Sequence, residues 1–532
     1  MSETANTESA GQTSDQHPAQ SSEQANESAT DDKPHSPDED DKIIELRPNE
    51  ELTGEPLART EISRETMRVD RKTGGFPLST SFHSSYDTII RREIEIIIKE
   101  RHIRVETLTD IHSGKSVRAD LSALGPARSK ITWAGISLLI CLGIEAALPF
   151  DRLQKVLFSG LAIFSTSSIC RYFKLAARKL LPIYLYLITE LAAKASVIYG
   201  DDSPTRTLEM EAEARNGFPK SDGERDDMAL QIEEKLGRVF PSKSKPNRPK
   251  ESLFISHVHG RTDPGDPCST IYIFRTHFGS VGNLISKMLV TRAESAPKVT
   301  LQGDLSPSNF PDPPVMERWV AGFVGCSAHA RRPVYRARED DPDLCERMLE
   351  LFALLGAVEK QIDRDGRTAN RTVAYRQSLA APVWDKINKL AQSVVDAEAQ
   401  AVANPTGHRL WPKKSPLYKG CRYIVKHYKK LTAYLSDYRL EANNNRAERL
   451  LRGEKMLLVS AKFRKSEVGR VSLDILRSLV MTARAASVSP YAYLCWALSQ
   501  KNEEINENPH LFTPLAFKRL HQAAVDSKAT GT

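Results

Sequence analysis

Hydrophobic and polar positions change their spacing several times along this chain of 532 residues, and each change marks a different kind of element. Residues 1–42 are rich in Ser, Thr, Gln, Asp and Glu and hold too little apolar surface to order themselves. Residues 43–85 stay polar, with Pro and Gly punctuation, so 1–85 is expected to be a disordered tail. From 92 to 108, REIEIIIKERHIRVETL, β-branched residues alternate with charges at the two-residue period of a strand. A Gly-Lys turn follows at 114–115, and 86–128 reads as a small β-rich unit. Across 129–195 the spacing lengthens to that of helices. There PFDRLQKVLFSG ends at Gly160 and STSSICRYFKLAARKL opens at Ser165, a pair consistent with a helix-turn-helix. Its second helix carries Arg171, Lys174, Arg178 and Lys179, suited to phosphate contacts; the plain alternative is packing of two amphipathic helices.

Strand patterns then return. SVIYGD at 196–201 is a short apolar run ending in acid. The charged stretch 209–250 reads as a mobile insertion. Strands are expected at 252–257, 270–275, 298–302 (KVTLQ, running into Asp304) and 321–327, with a helix near 280–291. From 340 to 440 the period is helical, and it remains so from 443 to 500. The expected organisation is therefore α/β: a core at 196–329, a helical insertion at 330–440, returning core helices at 441–505 and a tail at 506–532.

Residues 131–149, ITWAGISLLICLGIEAALP, nearly reach membrane-spanning length but contain Glu145, which favours a buried helix over an anchor built on 131–170. The seven cysteines are scattered, form no CxxC pair and follow no signal peptide, which fits reduced thiols in the cytoplasm. Charge is uneven: residues 1–50 carry 13 acidic and 3 basic side chains, net −10, leaving 72 basic against 55 acidic, net +17, for the rest. An acidic tail before a basic body is one pattern of a polyanion binder.

Strand, acid, further strands, strand, acid, then acid on a helix is the order of an RNase H-like metal-dependent nuclease core. Asp201, Asp304 and Glu448 occupy those places. Such chemistry needs hard oxygen ligands, because two divalent cations would bridge the attacking and leaving oxygens of an in-line phosphoryl displacement. Three acids among 68 are a weak signal by themselves.

Their surroundings strengthen it. YGDDS at 199–203, LQGDLSPSNF at 301–310, GCSAHARR at 325–332, ANNNRAER at 442–449 and PYAYLCWAL at 490–498 fall in order along the chain. These stretches resemble the "HADET", "LQTDGYAGY", "GCWAHARR", "IDNN.AER" and "P.AYL..L" motifs of the insertion-sequence-66 transposases, over about residues 130–500. The resemblance implies a DDE-type transposase with Asp201, Asp304 and Glu448 as catalytic and metal-binding residues and two Mg²⁺ or Mn²⁺ ions as cofactor. It also implies double-stranded DNA as partner, a homo-oligomer on DNA, small accessory proteins of the same element, no membrane, and a nucleoid-associated place in the cytoplasm. Departures are visible as well. No cysteine precedes Cys141, so the family's N-terminal zinc knuckle is absent, and Leu305, Ser327 and GEKMLLVSAK replace a Gly, a Trp and a basic stretch. A catalytically inactive DNA-binding derivative is the main rival reading, and a structure-selective nuclease another.

In a helix starting near Asn443, residues Asn444, Glu448 and Arg452 share a face, with Asn445 three before Glu448. Glu448 could reach metal while Asn444, Asn445, Arg449 and Arg452 orient it or touch phosphate. Arg331, Arg332, Lys413, Lys414, Lys419, Arg422 and Lys426 are further DNA candidates, several of them interleaved with tyrosines over 411–439. Cys326 and His329 have half of a zinc-site spacing, and a structural role is favoured, with His329 near the catalytic centre as the other possibility.

Overall fold

The computed structural model describes residues 102–127, 129–158, 164–215, 225–237, 243–245, 248–249, 253–404, 408, 410–411, 415–461 and 464–529. The acidic tail, the strand pattern at 92–101, Lys413 and Lys414 lie outside the described residues.

Within the expected β-rich unit, β1 (Thr107–Thr109) and β2 (Ser116–Arg118) form an exposed antiparallel hairpin. Its loop turns at Gly114, whose φ of 69° favours a residue without a Cβ. Three helices follow: α1 (Trp133–Ile144), α2 (Phe150–Phe158) and α3 (Thr166–Lys194). Next come β3 (Val197–Thr205), α4 (Leu208–Arg215), α5 (Asp227–Leu236), the short pair β4 (Lys243–Lys245) and β5 (Arg248–Pro249), β6 (Leu253–Arg261) and β7 (Thr270–His277). Then α6 (Val281–Leu289), β8 (Val299–Gly303), α7 (Pro313–Trp319) and β9 (Val320–Gly325) complete the strands. The rest is helical: α8 (Ser327–Arg336), α9 (Pro342–Arg364), α10 (Ala369–Tyr375), α11 (Ala381–Ala403), α12 (Pro416–Thr432), α13 (Asn445–Ala461), α14 (Glu467–Ala485), α15 (Pro490–Ser499), α16 (Asn502–Glu507) and α17 (Pro514–Ala529).

The main sheet is mixed, five-stranded and ordered β7-β6-β3-β8-β9. β7, β6 and β3 run antiparallel, whereas β3, β8 and β9 are parallel. Helices cover it, so β7 is buried at all eight positions although it lies at an edge. That edge is closed by α14. Asp474, Ser478 and Thr482, four apart on one helical face, accept from the amides of Thr276, Phe274 and Tyr272 at 2.7, 2.9 and 3.1 Å. A polar row at helical spacing thus meets every second strand residue and satisfies donors that would otherwise stay orphaned.

Two segments gain definition here. From Ile169 to Ala192 α3 buries one face against the sheet and α14, and its Tyr184 hydroxyl donates to Phe274 O on β7, the packing of amphipathic helices that was the alternative to a recognition helix. Lys174 and Arg178 both bind Asp226, the N-cap of α5, at 3.0 and 2.9 Å. Likewise, 209–250 is not one long loop, because α5 buries Met228, Ile232 and Leu236 in the core. As for 131–149, α1 spans 12 residues with its Trp133, Ile136, Leu139 and Ile140 buried, and Glu145 pairs with Arg484. No helix of the described residues is long and apolar enough to cross a membrane.

α13 lies across the sheet against β3 and β6, burying Ala447 and Leu451. It is fastened by a buried carboxylate, Glu454, which accepts from Arg470 and from Arg477 on α14 (2.8 Å), with Thr205 of β3 3.3 Å away. Flanking guanidinium groups hold the Glu454 carboxyl far below the usual range despite its burial. Removing one member leaves the other charges buried without compensation, so Glu454→Gln is expected to lower stability by about 3–5 kcal/mol, read from denaturant unfolding.

Candidate active site

The site grows from two parallel strands. Their last paired positions are Tyr199 and Gln302, and two residues further along each strand stands an acid, Asp201 on β3 and Asp304 just past β8. Glycines let the backbones approach there: a Cβ on Gly303 would come within 2.8 Å of Gly200 O. Glu448 arrives from the first turn of α13.

His329, from the first turn of α8, links two of these acids. Its Nε2 lies 3.8 Å from Asp304 Oδ2, and its Nδ1 lies 3.5 Å from Glu448 Oε1. Arg332, one turn on, places Nη2 3.3 Å from Glu448 Oε2. Asp201 is tied to the same cluster by charge. Burial pushes its carboxyl up to about 7, the Asp202 amide opposes this, and the charges of Glu448 and Asp202 add to it. Asp202, which the sequence reading passed over, accepts from Val281 N at the start of α6 at 3.2 Å. Its carboxyl is raised by burial and by the nearby charge of Asp304. The adjacent acids in YGDDS were the available signal; strand alternation sends them to opposite sides of the sheet.

Asp304 and Glu448 thus meet at His329, Asp201 feels the charge of Glu448, and Asp202 feels that of Asp304. Glu448 Oε1 and His329 Nδ1 are both buried without a hydrogen-bond partner among the described residues. Buried polar atoms are normally satisfied, and hard oxygens beside such an orphan pair suit a small divalent cation. Cys326, His329 and Glu448 also present ligand atoms within 4.8 Å of one another. The thiol is a poor member of that set. Burial pushes it up to about 11, and its Sγ accepts from Asn444 N at 3.1 Å.

The other expected supports divide. Asn444 precedes the first residue of α13 and sends Nδ2 to Gly200 O at 3.0 Å, so it fastens the helix to β3. The Asn445 amide is capped by Asn443 Oδ1 at 3.0 Å. Arg449 and Arg452 are exposed on α13. Arg446, which lay outside the earlier candidates, sits 5.8 Å from the Tyr272 ring. Among the expected DNA contacts, Arg171, Arg178, Arg331 and Arg332 are exposed; Lys174 and Arg178 pair with Asp226, and Arg332 with Glu448. Lys419, Arg422 and Lys426 stand exposed along α12 at helical spacing, together with Lys429 and Lys430. α12 packs against α8 and β9, which brings this basic face beside the acids. Tyr423, Lys426, His427 and Lys430 line a groove of ≈ 730 Å³ with Asp304 in its opposite wall.

The loop that carries Asp304 onward rests on α6. A Cβ at Gly282 would run into the carbonyl oxygens of Ser308 and Phe310. Gly282→Ala is therefore expected to destabilise by about 1–3 kcal/mol, the usual cost of overpacking, measured as a lowered melting temperature.

Residues 315–470 match the family model described as Transposase IS66 family. The match holds His329, Arg332 and Glu448 and begins after Asp304. The chain is 27% identical over 180 residues to the uncharacterized protein y4jD of Sinorhizobium fredii, covering 33% of this chain and 32% of that protein. It is 24% identical over 220 residues to the uncharacterized protein y4hP of the same organism, covering 38% and 36%. The chain thus spans about a third of the length of these relatives. No solved structure matches.

Proposed function

From the transposase domain of the IS66 family at residues 315–470, we propose that this chain cleaves and joins DNA strands at the ends of a mobile element. Asp201, Asp304 and Glu448 carry the reaction in this reading. The observation that supports it most is the meeting of acids from three distant segments beside His329 and a basic helix. The strand order, with one acid on the central strand and one just past its parallel neighbour, is consistent with an RNase H-like core.

Two Mg²⁺ or Mn²⁺ ions held by Asp201, Asp304 and Glu448 would supply Lewis-acid activation of the attacking oxygen and neutralise charge on the leaving one. The chain's own groups do the rest. Arg332 holds the Glu448 carboxylate, His329 stands between Glu448 and Asp304, and Asp202 steadies the start of α6. Lys419, Arg422 and Lys426 neutralise phosphates of double-stranded DNA. Assembly into a homo-oligomer on DNA, with small accessory proteins of the same element, belongs to the same reading.

Supercoiled plasmid carrying the element and its flanks, incubated with the full chain and Mg²⁺ or Mn²⁺, is expected to be nicked at the element ends. Binding without nicking under either metal would instead favour the inactive DNA-binding derivative. Saturating Mg²⁺ is expected to raise the melting temperature of the wild type by a few degrees, since a ligand at ~100 times its Kd adds about 2.7 kcal/mol. Asp304→Asn should remove most of that rise.

A further inference from the structure

We propose that the groove between α12 and the 304–310 loop receives an unpaired nucleotide of the DNA strand being cut, which rests on the transposase reading above. The groove runs from Asp304, so whatever fills it lies next to the reacting phosphate. The groove is open to solvent, and its ≈ 730 Å³ leaves room for a nucleotide, within the range of about 300–1,000 Å³ typical of small-molecule sites. Its lining combines apolar Leu305, Pro307 and Phe310 with Lys426 and Lys430. Neither lysine is in an ion pair among the described residues, and both are exposed.

An apolar floor with a cationic rim is the chemistry of a base and its phosphate, not of a purely apolar ligand. Phe310 supplies a ring fixed by packing 4.3 Å from Phe323, so its orientation does not depend on a ligand. Lys430 Nζ stands 4.7 Å from the Phe310 ring. A base can take that ring face while the long lysine side chain swings to the phosphate. The contact is sequence-tolerant, because every base has a π-face. It also favours DNA already unpaired at the cut, where no stacking energy has to be given up.

The test uses the full chain and two fluorescent duplexes of one element end, one blunt and one with a single-stranded overhang at the cleavage position. Anisotropy titration at fixed salt gives both affinities. The overhang is expected to bind about tenfold tighter, within the range of one base–aromatic stack. A 2-aminopurine in the overhang should lose emission on binding. Phe310→Leu, which keeps an apolar group against Phe323, and Lys430→Gln should each bring the affinity ratio towards one and restore emission. Equal affinity for the two duplexes overturns the groove proposal and leaves the transposase reading standing, as does a preference that both variants keep. Failure to bind either duplex overturns both.

Discussion

Asp201→Asn is expected to abolish cleavage and, at the same time, to stabilise the protein when metal is chelated. The activity loss should be on the order of 10²–10³-fold or more, the scale of removing one preorganised charge-stabilising group. The gain in stability follows from the same crowding. Asp201 has its carboxyl pushed up to about 7, chiefly by burial and then by the charges of Glu448 and Asp202. In the unfolded chain it titrates near 3.8. Between those values the fold binds the extra proton, so wild-type stability falls as pH rises through that window. The asparagine is neutral throughout. Its advantage should therefore be small near pH 4, grow through pH 5 and 6, and level off above about 7.5. Chemical denaturation of both proteins in chelator across that range measures it. Adding Mg²⁺ should reverse the order, stabilising wild type more than variant. An Asp201→Asn chain that is less stable than wild type in chelator at pH 8 would sink the picture of a crowded carboxylate site.

Arg376→Leu is expected to destabilise the protein strongly and to disturb the delivery of Glu448. Arg376 lies in a π-helical turn, Arg376–Ala380, between α10 and α11, and is fully buried. Its Nε and Nη2 meet both oxygens of Glu359 at 2.7 and 2.9 Å. The remaining donors reach Tyr434 O, Asp437 O and Leu440 O at 2.8, 3.0 and 3.0 Å. Those three carbonyls belong to the segment that leads from α12 into α13. The same segment is held from the sheet side, where Tyr199 donates to Arg439 O and Gln302 exchanges two hydrogen bonds with Glu441. One guanidinium therefore sets how the helical insertion delivers Glu448 to β3 and β8. Leucine would leave the Glu359 charge and three carbonyls poorly satisfied, at a cost of about 3–5 kcal/mol. Arg376→Lys keeps a charge for Glu359 but loses the fork, and should fall between. The readout that separates positioning from plain instability is metal affinity in the Lys variant at a temperature where circular dichroism shows it folded. That affinity should drop, because Glu448 is no longer held against its partners.

The contrast between these residues shows where sequence reading stops. Asp201 and Asp304 were singled out because each follows a short apolar run, which is a local pattern; β3 runs on past Asp201 to Thr205, so only Asp304 stands at a strand end. Glu448 was legible through ANNNRAER, whose helix start is also local; only its boundary moved, since Asn444 turned out to bind Gly200 O across the site. The sheet strands of the core were legible for the same reason, as was the helical character of 340–440. Nothing local distinguishes Arg376 from the other arginines of the insertion, because Glu359 lies 17 residues away and its carbonyl acceptors 58 to 64. Gln302 sits in LQGD like any polar strand residue, and its partner Glu441 is 139 residues further on. Glu454 reads as one more helical surface acid, yet it is completely buried among arginines.

The basic residues of α3 show the same limit. Lys174 and Arg178 have the spacing of a recognition helix, and spacing cannot reveal that both pair with Asp226. Periodicity reports which face of an element is apolar; it carries no information on what that face meets. By itself the sequence determined the types of the core elements and which strands and helix carry Asp201, Asp304 and Glu448. Only the tertiary structure decided which cations pair with an acid of the fold, as Lys174 and Arg178 do with Asp226. Charge pairing depends on distance in space, and over separations of tens to hundreds of residues that distance is set by packing.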